Sequence, residues 1–373
     1  MDQKQYVLIF STAYLPFIGG AELAIKEITD RLQDLHFILI TARMRRDLPR
    51  REHMGNIEVY RVGVGIPFFD KMFSPILAVC LVFTITRRIR VRLFWSVMVS
   101  YTTITPVLLN MFGFYRNVPF LLTLQEGDSK KHIFEGRFGF IAYWWRACLK
   151  YANHVQVIST YLVKLVKEFG YEGHISLVPN GVDTEKFNPP AGGQNSKIII
   201  TVSRLVKKNG VDTLIKAFAE VCKKFPDAKL HVVGDGLLRR KLEELSGDLG
   251  IANNVKFFGA LAYEKIPQYL AKADVFVRPS RSEGLGTAFL EAMAMGLPVV
   301  GTRVGGIPDF LEHERTGLFT NVDDAEDLAR QITRLFTDGA LYEKLSRNGR
   351  EVVQKTYTWE TIARTMKNIM IRL

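Results

Sequence analysis

Two glutamates eight residues apart, Glu283 and Glu291, bracket the run Gly284-Leu285-Gly286-Thr287. The second lies among Phe289, Leu290, Ala292 and Met293, where an ionised carboxylate is costly unless something pairs with it. Asp274–Arg278 reads as a buried strand and Thr287 as the start of a helix. Glycines between them would let backbone approach a ligand closely. First-turn N–H groups, which have no intrahelical acceptor, would then face an anion such as a phosphate. Glu291, more than a turn further on, would accept hydroxyl hydrogen bonds from a ribose beside it. A plain strand-to-helix turn with Glu291 in a structural ion pair fits the same letters, and glycine loops alone leave the two readings level.

Two other segments carry matching chemistry. Tyr6–Ser11 is followed by a loop ending Phe17-Ile18-Gly19-Gly20, ahead of a helix with Glu22 in its first turn. Lys197–Ser203 ends in Arg204, with Lys207 and Lys208 close behind, cations where a departing diphosphate would gather charge. A solvated basic loop is the commonplace alternative for such lysines. Metal chemistry finds no support, because the seven histidines include no H-x-x-x-H pair and Cys80, Cys148 and Cys222 form no C-x-x-C. Lone thiols of this kind suit a reducing compartment, and the first residues show no secretory leader, so a cytoplasmic location is expected.

The elements that must hold these residues alternate. Short apolar runs at Tyr6–Ser11, Phe37–Thr41, Ile57–Val62, Phe120–Leu124 and Val155–Ser159 read as strands with helical stretches between several of them. At Phe187–Ser196 the composition turns to Pro, Gly and polar residues, a linker. The alternation restarts with Lys197–Ser203, Lys229–Val233, Asp274–Arg278 and Leu297–Gly301. Such a pattern predicts two α/β domains, each a doubly wound parallel sheet, with ligands at the carboxyl ends of strands in a cleft between them. The domains are read as 1–186 and 187–355.

Net charge is +12, concentrated at Arg43, Arg45, Arg46, Arg50 and Arg51 and again at Arg87, Arg88, Arg90 and Arg92. The clusters fit either a solvated face or attraction to anionic phosphate, including lipid headgroups. Nucleic acid is not an expected partner, since no recognition motif accompanies the charge. The apolar run Pro75–Ile85 is read as too short to span a bilayer. Together with Phe68, Phe69, Phe73 and the segment from Phe134 to Arg146, it suggests a partly membrane-facing surface, with helix core the alternative for about half of those aromatics.

Taken together, PFIGGAE (16–22), SLVPNGVDTEKFNP (176–189), VSRLVKKNGVDTLIKAF (202–218), VVGDGLLRRKL (232–242), NVKFFGAL (254–261), RPSRSEGLGTAFLEAMAMGLPVVGTRVGGIPDF (278–310) and TGLFTNVDDAEDLA (316–329) resemble the retaining nucleotide-sugar glycosyltransferases of family 4. The resemblance implies the two-domain GT-B fold, with a last helix at about 356–373 packing back on the N-terminal domain. It implies transfer of a sugar from a UDP- or GDP-linked donor to an acceptor hydroxyl with retention of configuration and with neither cofactor nor metal; the aromatic and basic surface of the N-terminal half suggests a lipid-linked or envelope glycan as that acceptor. No D-x-D motif occurs. By position, Gly19 and Gly20 would lie beside the donor diphosphate and Arg204 and Lys208 would neutralise it. Glu283 and the backbone of Gly284, Leu285, Gly286 and Thr287 would face sugar and phosphate, and Glu291 the ribose. Two positions depart from the family. Asn209 stands where a lysine is usual, so the cation role passes to Lys208. Gln125 stands where a histidine is usual; it can hydrogen-bond a sugar hydroxyl but cannot carry a proton, leaving any acid or base work to Glu126 or Asp128. These departures keep open a catalytically inactive nucleotide-sugar-binding protein. The implied location is cytoplasmic, peripheral on the inner face of the membrane.

Overall fold

The computed structural model describes residues 5–136, 138–189 and 196–373. In chain order the first part contains β1 (Gln5–Phe10), α1 (Gly20–Arg31), β2 (His36–Ala42), β3 (Arg51–Met54), β4 (Ile57–Val62), α2 (Pro67–Ile85) and β5 (Arg90–Val97). There follow α3 (Thr105–Met111), β6 (Phe120–Leu124), α4 (Lys130–Glu135), α5 (Phe140–Tyr151), β7 (His154–Val157), α6 (Thr160–Glu168) and β8 (His174–Leu177). The second part holds β9 (Ile198–Val202), α7 (Val211–Lys224), β10 (Lys229–Val233), α8 (Arg239–Asp248), β11 (Val255–Gly259), α9 (Ile266–Leu270) and β12 (Val275–Arg278). It continues with α10 (Thr287–Ala294), β13 (Val299–Thr302), β14 (Leu318–Thr320), α11 (Ala325–Thr337) and α12 (Gly339–Thr356); α13 (Trp359–Arg372) closes the chain.

Two compact units result, one running through Asn180 and taking in Trp359–Leu373, the other Gly181–Thr358. The division falls ahead of the Pro/Gly-rich stretch, because Val182 N donates to Tyr357 O at 2.7 Å and Phe187 is buried against Tyr263. Residues 190–195 of that stretch lie outside the described residues.

The first unit's sheet has the order β3-β4-β2-β1-β5-β6-β7-β8, parallel throughout except for β3 against β4. β1 is buried on both faces from Val7 to Phe10, as a strand covered by helices on two sides must be. α13 belongs here. Arg31 Nε meets Glu360 at 2.8 Å, Lys367 meets Asp34 at 2.7 Å, and Arg92 donates to Ile371 O at 2.8 Å. The second unit's sheet, β11-β10-β9-β12-β13-β14, is parallel throughout. Its core joins Val211, Leu214, Phe218 and Val221 of α7 to Leu328, Ile332 and Leu335 of α11 over β9, β10 and β12.

Strand order reverses at β1/β5 in one sheet and at β9/β12 in the other, and in open α/β sheets ligands bind at such switch points, beyond the carboxyl strand ends. All the sequence-selected loops leave those ends: 11–20 after β1, Gln125 after β6, Arg204–Asn209 after β9 and Pro279–Gly286 after β12.

Of the second basic cluster, Arg90 and Arg92 lie within β5, and Arg87 and Arg88 precede it. One reading of the first half changes. The apolar run is the later part of a 19-residue helix, long and apolar enough by length and composition to cross a membrane, with a third of its apolar window buried. The helix is fastened to the sheet by polar groups: buried Asp70 accepts from the backbone N–H of Met44, Val64, Gly65 and Ile66 at 2.6–3.1 Å. Thr102 Oγ1 donates to Ser74 Oγ at 2.6 Å. Its opposite face leaves Phe68, Phe69, Met72, Phe73, Ile76 and Leu77 exposed. Farther on, Trp145 is buried and stacks on Phe169, which also stacks with Phe134, whereas Phe138, Phe140 and Tyr143 stay exposed.

Candidate functional site

In the second unit the site is built on the crevice between β9 and β12. Gly286, at φ +98°, caps α10, and a Cβ there would lie 3.4 Å from Arg278 Nη2 and 3.5 Å from Glu283 Cγ. Glycine therefore supplies the left-handed backbone, and a Cβ would also press within 3.0 Å of Phe289 Cδ2. Glu283 is held at both oxygens: Oε2 by Arg278 Nη2 at 2.5 Å, Oε1 by the N–H of Gly284 at 3.1 Å. Gly305 packs so closely under Glu283 that a Cβ would fall 1.7 Å from the Glu283 carbonyl oxygen.

Glu291 lies on α10 and is buried. Loss of solvent pushes its carboxyl up to about 7, opposed by the Tyr263 hydroxyl, which hydrogen-bonds it, and by the charges of Arg278 and Lys186. The sequence left a basic partner for Glu291 open. Its hydrogen-bond partner is a tyrosine, with the two cations acting from farther off.

Arg204 stands exposed after β9. Asn209, the departure from the lysine pattern, is buried and donates to Arg204 O at 2.7 Å, so it braces the loop from within. Lys208 is half-buried, and its carbonyl accepts from Arg281 N at 2.7 Å. Arg281 is taken up by Asp212 (2.9 and 2.7 Å), Asp323 (2.6 Å) and Lys207 O (2.5 Å). These contacts bind the Lys207–Asn209 loop to the Glu283 loop. The structure thus ties the Lys207–Asn209 loop to Arg281 and Ser282, directly ahead of Glu283, while Glu283 and Glu291 share Arg278 as a neighbouring cation.

In the first unit Gln125 follows β6, and its side-chain oxygen accepts from Nδ2 of buried Asn180 at 3.0 Å. A Cβ on Gly20 would lie 3.6 Å from that same Nδ2, so Gly20, Gln125 and Asn180 converge. Gly19 is the N-cap of α1. Glu126 turns inward, accepting from Val99 N (2.6 Å) and Gln125 N (2.9 Å), and burial pushes its carboxyl up to about 7. Thr12 and Ser100, from the loops after β1 and β5, share a 2.8 Å hydrogen bond. Among the described residues no group of three or more His, Cys, Asp or Glu is placed to hold a metal.

Three side chains that the sequence reasoning assigned no role belong to these clusters: Arg278, Tyr263 and Asn180. Only Arg278 left a usable signal, a charge ending the otherwise apolar strand Val275-Phe276-Val277.

Two doubly wound units with a ligand crevice at each switch point define the GT-B architecture. Over the full chain the fold superposes with sucrose-phosphate synthase from Thermosynechococcus elongatus (TM-score 0.85, 23% identity, 99% of each chain). It also matches Anabaena HepE in complex with UDP and glucose (TM-score 0.78, 21% identity, 100% of each chain). Residues 18–186 match the model for glycosyltransferase family 4 and residues 182–352 that for glycosyl transferases group 1. The chain belongs to glycosyltransferase family 4. A GDP-mannose-dependent alpha-(1-6)-phosphatidylinositol monomannoside mannosyltransferase of Mycobacterium tuberculosis is 32% identical over 234 residues, which are 58% of this chain and 61% of that protein. Mannosylfructose-phosphate synthase of Agrobacterium fabrum is 30% identical over 260 residues, 64% of this chain and 57% of its own length. The matched stretch thus spans about three-fifths of the curated relatives.

Proposed function

We propose that this chain is a retaining, metal-independent glycosyltransferase moving a hexosyl group from a UDP- or GDP-linked donor to an acceptor hydroxyl. What supports it is the second unit's switch point: the loops after β9 and β12 carry Arg204, Lys208 and Glu283, and α10, entered through the glycine loop, carries Glu291. The diphosphate would rest on the first-turn amides of α10, and Glu291 would take the ribose hydroxyls. Glu283 would accept from the sugar. As the anomeric C–O bond breaks, its electron pair passes to the leaving phosphate, and Arg204, Lys208 and the amides stabilise that charge without reorganising. The acceptor oxygen bonds the anomeric carbon on the same face, and its proton goes to the departing phosphate oxygen. Asn209 braces the loop carrying Arg204 and Gln125 is engaged by Asn180, so neither departure disturbs the carboxylates. That favours activity over inert binding.

The acceptor is lipid-linked, and the protein acts as a peripheral membrane enzyme on the cytoplasmic side, in polysaccharide or glycolipid synthesis. Support comes from the first unit: the apolar face of α2 leaves Phe68 70% and Ile76 60% exposed, and the basic Arg43–Arg46 loop packs beside the helix start, where Arg46 abuts Gly65. Apolar side chains beside arginines suit an anionic bilayer surface. The name of the mycobacterial relative, with GDP-mannose and phosphatidylinositol monomannoside, points the same way.

Purified protein incubated with UDP- and GDP-sugars, with and without membrane lipid extract, should release nucleotide from one donor and release more with lipid. Anomer analysis of the product tests retention. No release from any donor would refute the reading. Sedimentation with anionic vesicles at low salt, lost on Phe68→Ser with Ile76→Ser, tests the membrane face.

A further inference from the structure

Arginine is an odd end for a buried strand. Val275, Phe276 and Val277 of β12 are fully buried, and Arg278 follows them at 6% exposure. A guanidinium there is tolerated only if its charge and N–H groups are matched, and an apolar side chain would end the strand at lower cost. The match is supplied by the site. Nη1 donates to Val202 O at 3.3 Å, at the end of β9; Nη2 donates to Glu283 Oε2; and the guanidinium lies 5.0 Å from the centre of the Phe289 ring. Nε is buried with no acceptor, so the fork is set by Glu283 rather than by maximum pairing. Arg281, the nearest rival cation in sequence, is engaged by Asp212 and Asp323. Gly286 lies against the pair, its Cβ position 3.4 Å from Arg278 Nη2 and 3.5 Å from Glu283 Cγ.

We infer that Arg278 is a positioning residue for transfer: it spans the β9/β12 crevice and fixes the Glu283 carboxylate as an oriented hydrogen-bond acceptor for the transferring sugar. This rests on the reading of Glu283 as the sugar-side carboxylate. With Oε2 on the guanidinium and Oε1 on the Gly284 amide, the carboxylate cannot turn, and its remaining lone pairs keep one direction. A charge-assisted contact of this kind is geometrically specific, and lysine cannot copy the planar fork.

The test is a double-mutant cycle read by nucleotide release from the donor that the wild-type enzyme uses. Arg278→Met should lower kcat on the order of 100-fold through loss of orientation. In a Glu283→Gln background the same change should alter the residual rate by less than about 3-fold, because the group it positions is already gone. Arg278→Lys should recover part of the loss, and guanidinium salt at a non-denaturing concentration should partly restore Arg278→Ala. Losses that multiply across the cycle, or an Arg278→Met enzyme as fast as wild type, would overturn the inference and leave the transferase reading intact. A wild type inactive on every UDP- and GDP-sugar would overturn both. If Arg278→Met does not fold, the Arg278→Lys cycle decides, with a drop of about 10-fold in kcat that vanishes beside Glu283→Gln.

Discussion

The two switch points share one frame and differ in chemistry. That of the second unit is ionic: Arg278 with Glu283, Arg281 with Asp212 and Asp323, and a basic loop tied to the loop that carries Glu283. That of the first unit is less ionic, with an amide pair at Gln125 and Asn180, a hydroxyl pair at Thr12 and Ser100, the Glu126 carboxyl turned inward on backbone and the Glu22 carboxylate beside Gly19. Fixed charges suit a doubly charged leaving group, because they need not move as it departs. Amides and hydroxyls suit a neutral polyol, and the exposed apolar face on this unit suits a lipid carrier. A doubly wound sheet thus fixes where the loops emerge, and the loop residues decide which half carries more charge.

The sharpest way to break the contrast is to neutralise the ionic side. Glu283→Gln and Arg204→Ala should each reduce turnover by 10³-fold or more, about 4 kcal/mol of transition-state stabilisation, with circular dichroism unchanged. Wild-type rates in either would remove the assignment. A smaller effect is expected of Glu291→Gln. The donor KM should rise about 10- to 100-fold with kcat nearly kept, the signature of lost uniform binding.

How much of this was readable beforehand differs between the halves for physical reasons. In the second, β9 is a continuous β-branched apolar run, and β10, β12 and β13 each abut a glycine or proline (Gly234, Pro279 and Pro298), so their sequence signal is strong. β14 is only three residues and β5 opens with Arg-Val-Arg, so neither shows a strand pattern. Arg90 is exposed, as a surface charge should be, whereas the bond from Arg92 to Ile371 O joins residues far apart in sequence and left no local signal. The E-x7-E segment was legible as a motif because its two carboxylates and its glycines lie close together in sequence. Arg278 and Tyr263 did not mark themselves, because their roles are contacts with Glu283 and Glu291 that only folding creates.

Titration sharpens the comparison further, since each unit buries one carboxyl pushed from near 4.5 up to about 7, Glu291 and Glu126. Between those values the unfolded chain has lost protons that the folded chain keeps, so stability falls as pH rises and the loss is complete above about 7. Each group contributes on the order of 3 kcal/mol to that fall at most. Melting curves from pH 5 to 8 should flatten in Glu126→Gln and in Glu291→Gln. Only the second change should also flatten the pH dependence of donor KM, which in wild type should decrease as Glu291 ionises and becomes the better acceptor. Equal flattening of KM in both variants would show that the two carboxyls do not divide as the loops do.

The smallest expected effect tests the neutral side. Gln125→Ala removes the acceptor of Asn180 Nδ2, a buried donor, and leaving such a group unpaired costs about 1–3 kcal/mol. Because Gln125 cannot transfer a proton, its loss should lower kcat no more than about 10-fold and leave the pH–rate profile in place. Gln125→Glu keeps an acceptor for Asn180 and should restore stability, but it sets a second carboxylate beside Glu126 and introduces a charge where the first unit otherwise presents amides. If that variant turned over faster than wild type, the neutral character of the first unit's crevice would be incidental. If it kept its fold and lost acceptor affinity, neutrality would be what that crevice is built to provide.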